Sequence, residues 1–404
     1  MNKISNYVLN LFFFLIIFDF SGDPIIRSYD LNLINFEFYY KLILSFLFLF
    51  LLIFNFKLKF NKSKIYIPYL LICFIFIYGF IVGIVNNNIL NALNELSGYF
   101  FILLIPVIVN LEEKFNGINT NYDQRVIKFI KISTYIIIFK IFFYEIATLI
   151  VYGIPSYKIL LKQTPLFLIS FSILLEKMLR KEKGYNFLFL LTCFILLVAI
   201  ARMIYISMIF LFLIHFIRNF SINKIKIQIR ILLIIFISFL LYINIQSLDY
   251  TGTFDRIYGG EVYEEGVDYR ITQFYVILKR FYEFPLGAGF GYYTPDYLSY
   301  SELSKPYLLE LDLFNFFSKI GLIFSLVYLI NIFNIYFYVN KAIYKNYNSL
   351  FAFYFGIISL LIYSLGQTAH QGYLYWVTFS IFYSSLIITY NSKNRFSHAI
   401  LTKK

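Results

Sequence analysis

Apolar runs of about 17 to 25 residues recur from one end of this chain to the other, each long enough to cross a hydrocarbon core of roughly 30 Å as a helix. Within the runs the period-two alternation of a barrel wall is missing, so strands are not expected. With 60% hydrophobic residues, 14% charged residues and a mean hydropathy of +0.73, the composition is that of an integral membrane protein rather than a soluble domain. The expected fold is all-α: a polytopic membrane protein of about twelve transmembrane helices, built as a single transmembrane domain over residues 1–404.

The expected spans are 4–20, 36–56, 65–85, 95–111, 132–151, 157–175, 186–201, 203–217, 229–248, 308–332, 347–366 and 372–390. A net charge of +13 suits nucleic acid at first sight, but its placement does not. Basic clusters at 57–64, 125–131, 177–183, 218–230, 341–345 and 393–404 alternate with poorly charged connections. That is the positive-inside pattern, so the charge reports topology, with both termini cytoplasmic and no nucleic-acid partner. The first run lacks a small-x-small cleavage site and reads as an uncleaved span. Cys73 and Cys193 lie inside apolar runs and read as core residues.

The stretch 185–217 is one apolar run interrupted by Arg202 and flanked by basic clusters on both ends. Both ends are therefore expected inside, which makes the run two short helices with an outer turn at Arg202. The long polar loop, 249–307, falls between the ninth and tenth spans on the outer face. Its first part, through Asp268, is rich in Gly and Glu and reads as irregular. A helix is expected from Tyr269 to Phe284, stopped by Pro285.

At 100° per residue that helix places Arg270, Gln273, Ile277 and Arg280 on one face, with the two guanidiniums about 15 Å apart along the axis. Arginine forks just outside a membrane suit phosphate or pyrophosphate oxygens. The same spacing also describes an interfacial helix whose bases meet lipid headgroups while Phe274, Leu278 and Phe281 rest on the bilayer or the bundle. After it, PLGAGFG supplies Gly287, Gly289 and Gly291. Without a strand before and a helix after, this is a tight turn that admits close backbone approach, to protein or to substrate.

The next span opens LELDLFNFFSKIG, with Asp312, Asn315 and Lys319 on one face and Glu310 beside it. Ionisable groups in a membrane helix are costly and face a cavity or one another. Glu310 or Asp312 suits a general base toward a hydroxyl, and a polar stripe joining helices is the alternative. Lys140 and Glu145 read as a structural pair within the fifth span. His370, with Gln367 and Gln371, sits in the last outer turn, where it is placed to touch a substrate. His215 and His398 fall on the cytoplasmic side and are assigned no role. No metal-ligand spacing is present; EVYEEG at 261–266 is too generic.

Taken in order, these features resemble the O-antigen polymerases of bacterial lipopolysaccharide biosynthesis, in the superfamily that includes the O-antigen ligases. The architecture of about twelve spans, with one long external loop before the last three, covers nearly the whole chain. Three motifs match within it: the arginine at the outer turn between two short central spans (Arg202), the arginine helix ending in P-L-G-x-G-F-G (Arg270 to Gly291), and an acidic residue about eleven positions before I-G (Glu310 to Gly321). Where the ligase-like branch carries His-Asn, this chain has Glu310-Leu311, which favours polymerase over ligase. Ala199-Ile200-Ala201 stand where serines usually precede the central arginine.

The resemblance implies a glycosyltransferase at the periplasmic face of the inner membrane, joining repeat units carried on undecaprenyl pyrophosphate. Arg202, Arg270 and Arg280 would neutralise the pyrophosphate leaving group, and Glu310 or Asp312 would deprotonate the acceptor hydroxyl. Gly287, Gly289 and Gly291 would let the chain approach the glycan. No cofactor is implied; membrane lipids and a chain-length regulator are the implied partners. An O-antigen ligase, and a flippase or other transporter of lipid-linked oligosaccharide, are the alternative readings. A transporter predicts polar residues through the middle of the bundle.

Overall fold

A computed structural model describes residues 2–18, 34–57, 66–116, 122–152, 163–198, 202–219, 261–292, 311–343, 348–365 and 373–401. Among them every regular element is helical. In chain order they are α1 (Asn2–Ile17), α2 (Ile34–Asn55), α3 (Tyr66–Asn86), α4 (Ile89–Tyr99), a 3-10 turn (Phe100–Leu103), α5 (Leu104–Asn116), α6 (Tyr122–Tyr152), α7 (Thr164–Leu179), α8 (Asn186–Val198), α9 (Arg202–Asn219), α10 (Glu261–Glu283), α11 (Asp312–Ile343), α12 (Asn348–Ser364) and α13 (Tyr373–Leu401). Three helical stretches are long and apolar enough to cross a membrane: Tyr66–Asn86, Ile89–Lys114 and Asp312–Val339. Shorter apolar helices, among them Asn186–Leu197, Met203–Arg218 and Ser349–Ser364, accompany them.

Local chemistry sets the ends. Asn88 caps α4, its side-chain oxygen accepting from Leu90 N–H at 2.8 Å. Pro165 occupies the first turn of α7, where no amide donor is needed. The apolar run 185–217 divides as expected, α8 ending at Val198 and α9 beginning at Arg202. The expected ninth span, 229–248, lies outside the described residues, as do Glu310 and His370 and the side chains of Arg202, Arg270 and Glu145.

One group of helices centres on α12, which packs on α7, α9, α11 and α13. α13 in turn lies along α5 and the 3-10 turn, and α3 runs against α11 and α4. Between α3, α4, α11 and α13 sits an aromatic core. The ring of Phe290 stacks on Tyr99 at 5.0 Å, and Trp376 meets Phe76 edge-on at 4.9 Å. Each such pair adds about 0.5–1.5 kcal/mol beyond its buried area.

Two expectations need correction. The loop helix starts at Glu261, so residues 261–268 are helical rather than irregular. Glu, Val and Tyr in EVYEEGVDY are tolerated in a helix, and the one glycine there costs only about 1 kcal/mol. The expected tenth span, 308–332, runs further: α11 reaches Ile343, and its backbone breaks at Gly321, with φ 81° and ψ 166°.

Candidate functional site

The break at Gly321 and the PLGAGFG turn form one unit. Ser318 and Lys319 would ordinarily give their carbonyls to amides one turn further along α11. Here those carbonyls accept from Ala288 N–H at 3.2 Å and Gly289 N–H at 2.9 Å, while Leu322 N–H donates to Pro285 at 3.1 Å. Three backbone groups opened by the break thus find partners in the turn, and Ser325 Oγ donates to the Phe317 and Gly321 carbonyls, as a low-dielectric interior favours. The far side of the turn is held by α3: Phe290 N–H donates to Gly79 at 2.9 Å, and Asn87 Nδ2 donates to Ala288 and Phe290.

The glycines are there for this docking. A Cβ on Gly289 would meet Val82 C at 2.6 Å, and one on Gly83 would meet Phe290 N at 2.8 Å. Gly289 also has φ 84°, a conformation that side chains resist. Of the two readings left open for Gly287, Gly289 and Gly291, the described contacts are with protein backbone, from Lys319–Gly321, Val82–Gly83 and Asn91–Ala92 respectively.

Docking the turn fixes the loop helix. α10 turns Gln273, Ile277 and Arg280 into the bundle, the face expected from the 3.6-residue period. Arg280 Nη1 donates to Asn315 Oδ1 at 2.7 Å and to Ser318 Oγ at 3.0 Å, and its guanidinium lies over the Tyr292 ring at 4.8 Å. Gln273 Oε1 accepts from Leu311 N–H at 3.1 Å, tying the same face to the start of α11. Burial lowers the pKa of Arg280 to about 10 against the opposing influence of Tyr292 and Glu95, so the guanidinium stays cationic at neutral pH.

Asp312, Asn315 and Lys319 are all buried along one face of α11. Lys319 Nζ pairs with Glu95 Oε1 of α4 at 2.7 Å, and Glu95 Oε2 accepts from Gly291 N–H at 2.7 Å. Asp312 and Arg280 also lie within electrostatic reach of Lys319. Tyr99 sits in the field of both carboxylates. The result is a buried quartet, Glu95, Asp312, Arg280 and Lys319, of zero formal net charge. It joins α4, the loop helix and the first turns of α11.

Glu95 escaped the sequence reading. Its one visible signal is a lone acid in NALNELSGYF, within an apolar run. Lys140, Glu176 and His215 are buried as well as the quartet.

His215 is buried in a hydrogen-bonded cluster. Its Nδ1 lies 2.8 Å from Glu176 Oε2 and its Nε2 3.0 Å from Ser172 Oγ. That spacing imitates a serine–histidine–carboxylate triad. Ser172, however, donates its only hydroxyl proton to the Ala352 carbonyl at 2.8 Å, so it accepts from His215 and is not activated as a nucleophile. The chain of bonds ties α7, α9 and α12 together.

Among the described residues no group of His, Cys, Asp and Glu is arranged to hold a metal ion. No family model, curated protein or solved structure matches this chain.

Proposed function

We propose that this protein is an O-antigen polymerase-type glycosyltransferase of a bacterial inner membrane. On this reading it joins lipid-pyrophosphate-linked oligosaccharide repeat units at the periplasmic face. The observation that carries the proposal is the docking of Arg280: a cationic side chain from the loop helix reaches the first turns of α11 and binds Asn315, one helical turn from Asp312. On this reading Arg280 supplies charge neutralisation for the leaving group, and Asp312, on the same buried face of α11 as Asn315, supplies a base for the acceptor hydroxyl, two elements that glycosyl transfer from a pyrophosphate needs. Arg270, on the same face of α10, and Arg202, at the opening of α9, are proposed to complete the anion site. Glu310 is the second candidate base, and His370 a glycan contact.

Gly287, Gly289 and Gly291 take a different role from a direct grip on the glycan. In the proposal they seat the loop helix by backbone packing, which brings Arg280 to α11. No cofactor enters this scheme, because the arginines supply the positive charge.

A second reading has one specific observation in its favour. A helix broken at Gly321 beside buried charges is also how transporters build binding sites at membrane depth. Deleting the gene and resolving the lipopolysaccharide on a gel separates the two. Loss of a polymerase leaves core carrying one repeat, whereas loss of a flippase or of a ligase leaves bare core. In the complemented strain, alanine at Arg280 or Asp312 is expected to abolish polymer while the protein stays in the membrane; full-length polymer from both variants would sink the assignment.

A further inference from the structure

The loop helix is amphipathic the wrong way round for a segment that faces water. Its buried face carries Gln273 and Arg280, while Ile271, Phe274, Tyr275, Leu278 and Tyr282 stand exposed at helical spacing, followed by Leu286 in the turn. Tyr282 is 89% exposed and Tyr275 67%. An apolar stripe of this length on a water-facing helix would oppose the hydrophobic effect along its whole length.

The stripe does not end with the helix. Leu322 N–H donates to Pro285, next to Leu286, so the exposed Leu322 and Ile323 of α11 continue it directly. From there Leu326, Ile330, Phe333 and Phe337 carry the apolar surface along a helix that is itself long and apolar enough to span a membrane. On the other flank the Tyr78 hydroxyl of α3 donates to Leu286 O at 2.6 Å, and the Tyr78 ring packs on Phe324 at 4.0 Å. Lys279, 68% exposed, and Glu283 form the polar margin of the stripe, 3.9 Å apart. Tyrosines and a lysine beside aliphatic residues match the boundary between acyl chains and headgroups.

We infer that α10 lies in the outer interface of the bilayer, with its apolar stripe against acyl chains and its polar face turned into the bundle. The occupant of this surface is lipid, and the inference stands whether or not the protein transfers sugars. An amphiphile's polar head can then approach Arg280 from within the membrane plane, without first leaving the bilayer.

Tyr275→Trp and Tyr282→Trp test this in proteoliposomes of phosphatidylcholine and phosphatidylglycerol. Both are conservative replacements at exposed positions, so neither asks the core to repack. The single native tryptophan, Trp376, is fully buried and gives the baseline. Fluorescence added by the new tryptophan is expected to be blue-shifted, to fall by about half with acyl-brominated lipid, and to resist aqueous iodide. Quenching by iodide would place the stripe in water. Protection from both quenchers would mean that protein covers it, from this chain or from a second copy. Either of those results overturns the inference.

Discussion

Lys319 Nζ lies 2.7 Å from Glu95 Oε1, and both side chains are completely buried although 224 residues separate them in the chain. A buried pair contributes little net stability over an apolar substitute, but breaking one side strands a charge. Lys319→Met is therefore expected to cost roughly 3–5 kcal/mol, and Lys319→Met with Glu95→Leu less than the single change. Melting of the detergent-solubilised protein by size-exclusion fluorescence reads both. Additive losses would show that the two side chains act independently.

The turn offers a paired test. Gly289→Ala drives a Cβ into the Val82 and Gly83 backbone and holds it at φ 84°. Gly184→Ala has a similar positive φ, 89°, with nothing within 4 Å of the new methyl. The first is expected to abolish folded protein and the second to cost only about 1 kcal/mol. Comparable yields of the two variants would refute the docking role of the turn.

Arg280→Lys keeps the charge but loses the planar fork that reaches both Asn315 and Ser318 and stacks on Tyr292. On the proposed function, polymer is expected to fall by tenfold or more, of the order of 1.4 kcal/mol, with protein level unchanged. Lys279→Ala, one residue away on the exposed side, should leave polymer intact. Densitometry of the lipopolysaccharide ladder distinguishes them.

For the inner cluster the expected result is a null reaction. Ser172→Ala removes a hydroxyl whose proton is given to Ala352, at a cost of about 1 kcal/mol. The wild-type protein should not be labelled at Ser172 by an active-site fluorophosphonate. His215→Leu, by contrast, takes from Glu176 the partner of its Oε2 while Arg180 still holds Oε1, and should cost more than Ser172→Ala, about 2 kcal/mol. A labelled Ser172 would show that the cluster does activate its serine as a nucleophile.

Helical periodicity made part of this site legible. The face shared by Gln273, Ile277 and Arg280, and the stripe of Asp312, Asn315 and Lys319, both follow from spacing within one element. Glu95 did not show itself because its partners lie on distant segments, and a lone acid in an apolar run looks the same whether it meets solvent or a lysine. Gly79 and Gly83 were equally silent: their purpose is the shape of Phe290 and its backbone, which spacing within α3 cannot encode. The start of the loop helix was missed because Gly- and Glu-rich composition resembles a coil until packing selects one conformation.

The broken helix also bears on the order in which the chain is made. The carbonyls of Ser318 and Lys319 are satisfied by amides of residues 288 and 289, which leave the ribosome earlier. So do α3 and α4, which cradle those amides. If α11, which is long and apolar enough to span a membrane, enters one during synthesis, the donors that mend its break can already be in place and its backbone need not be left open. The 285–291 turn then serves as a template for α11, and a deletion within it should stall the folding of α11 and the helices that follow.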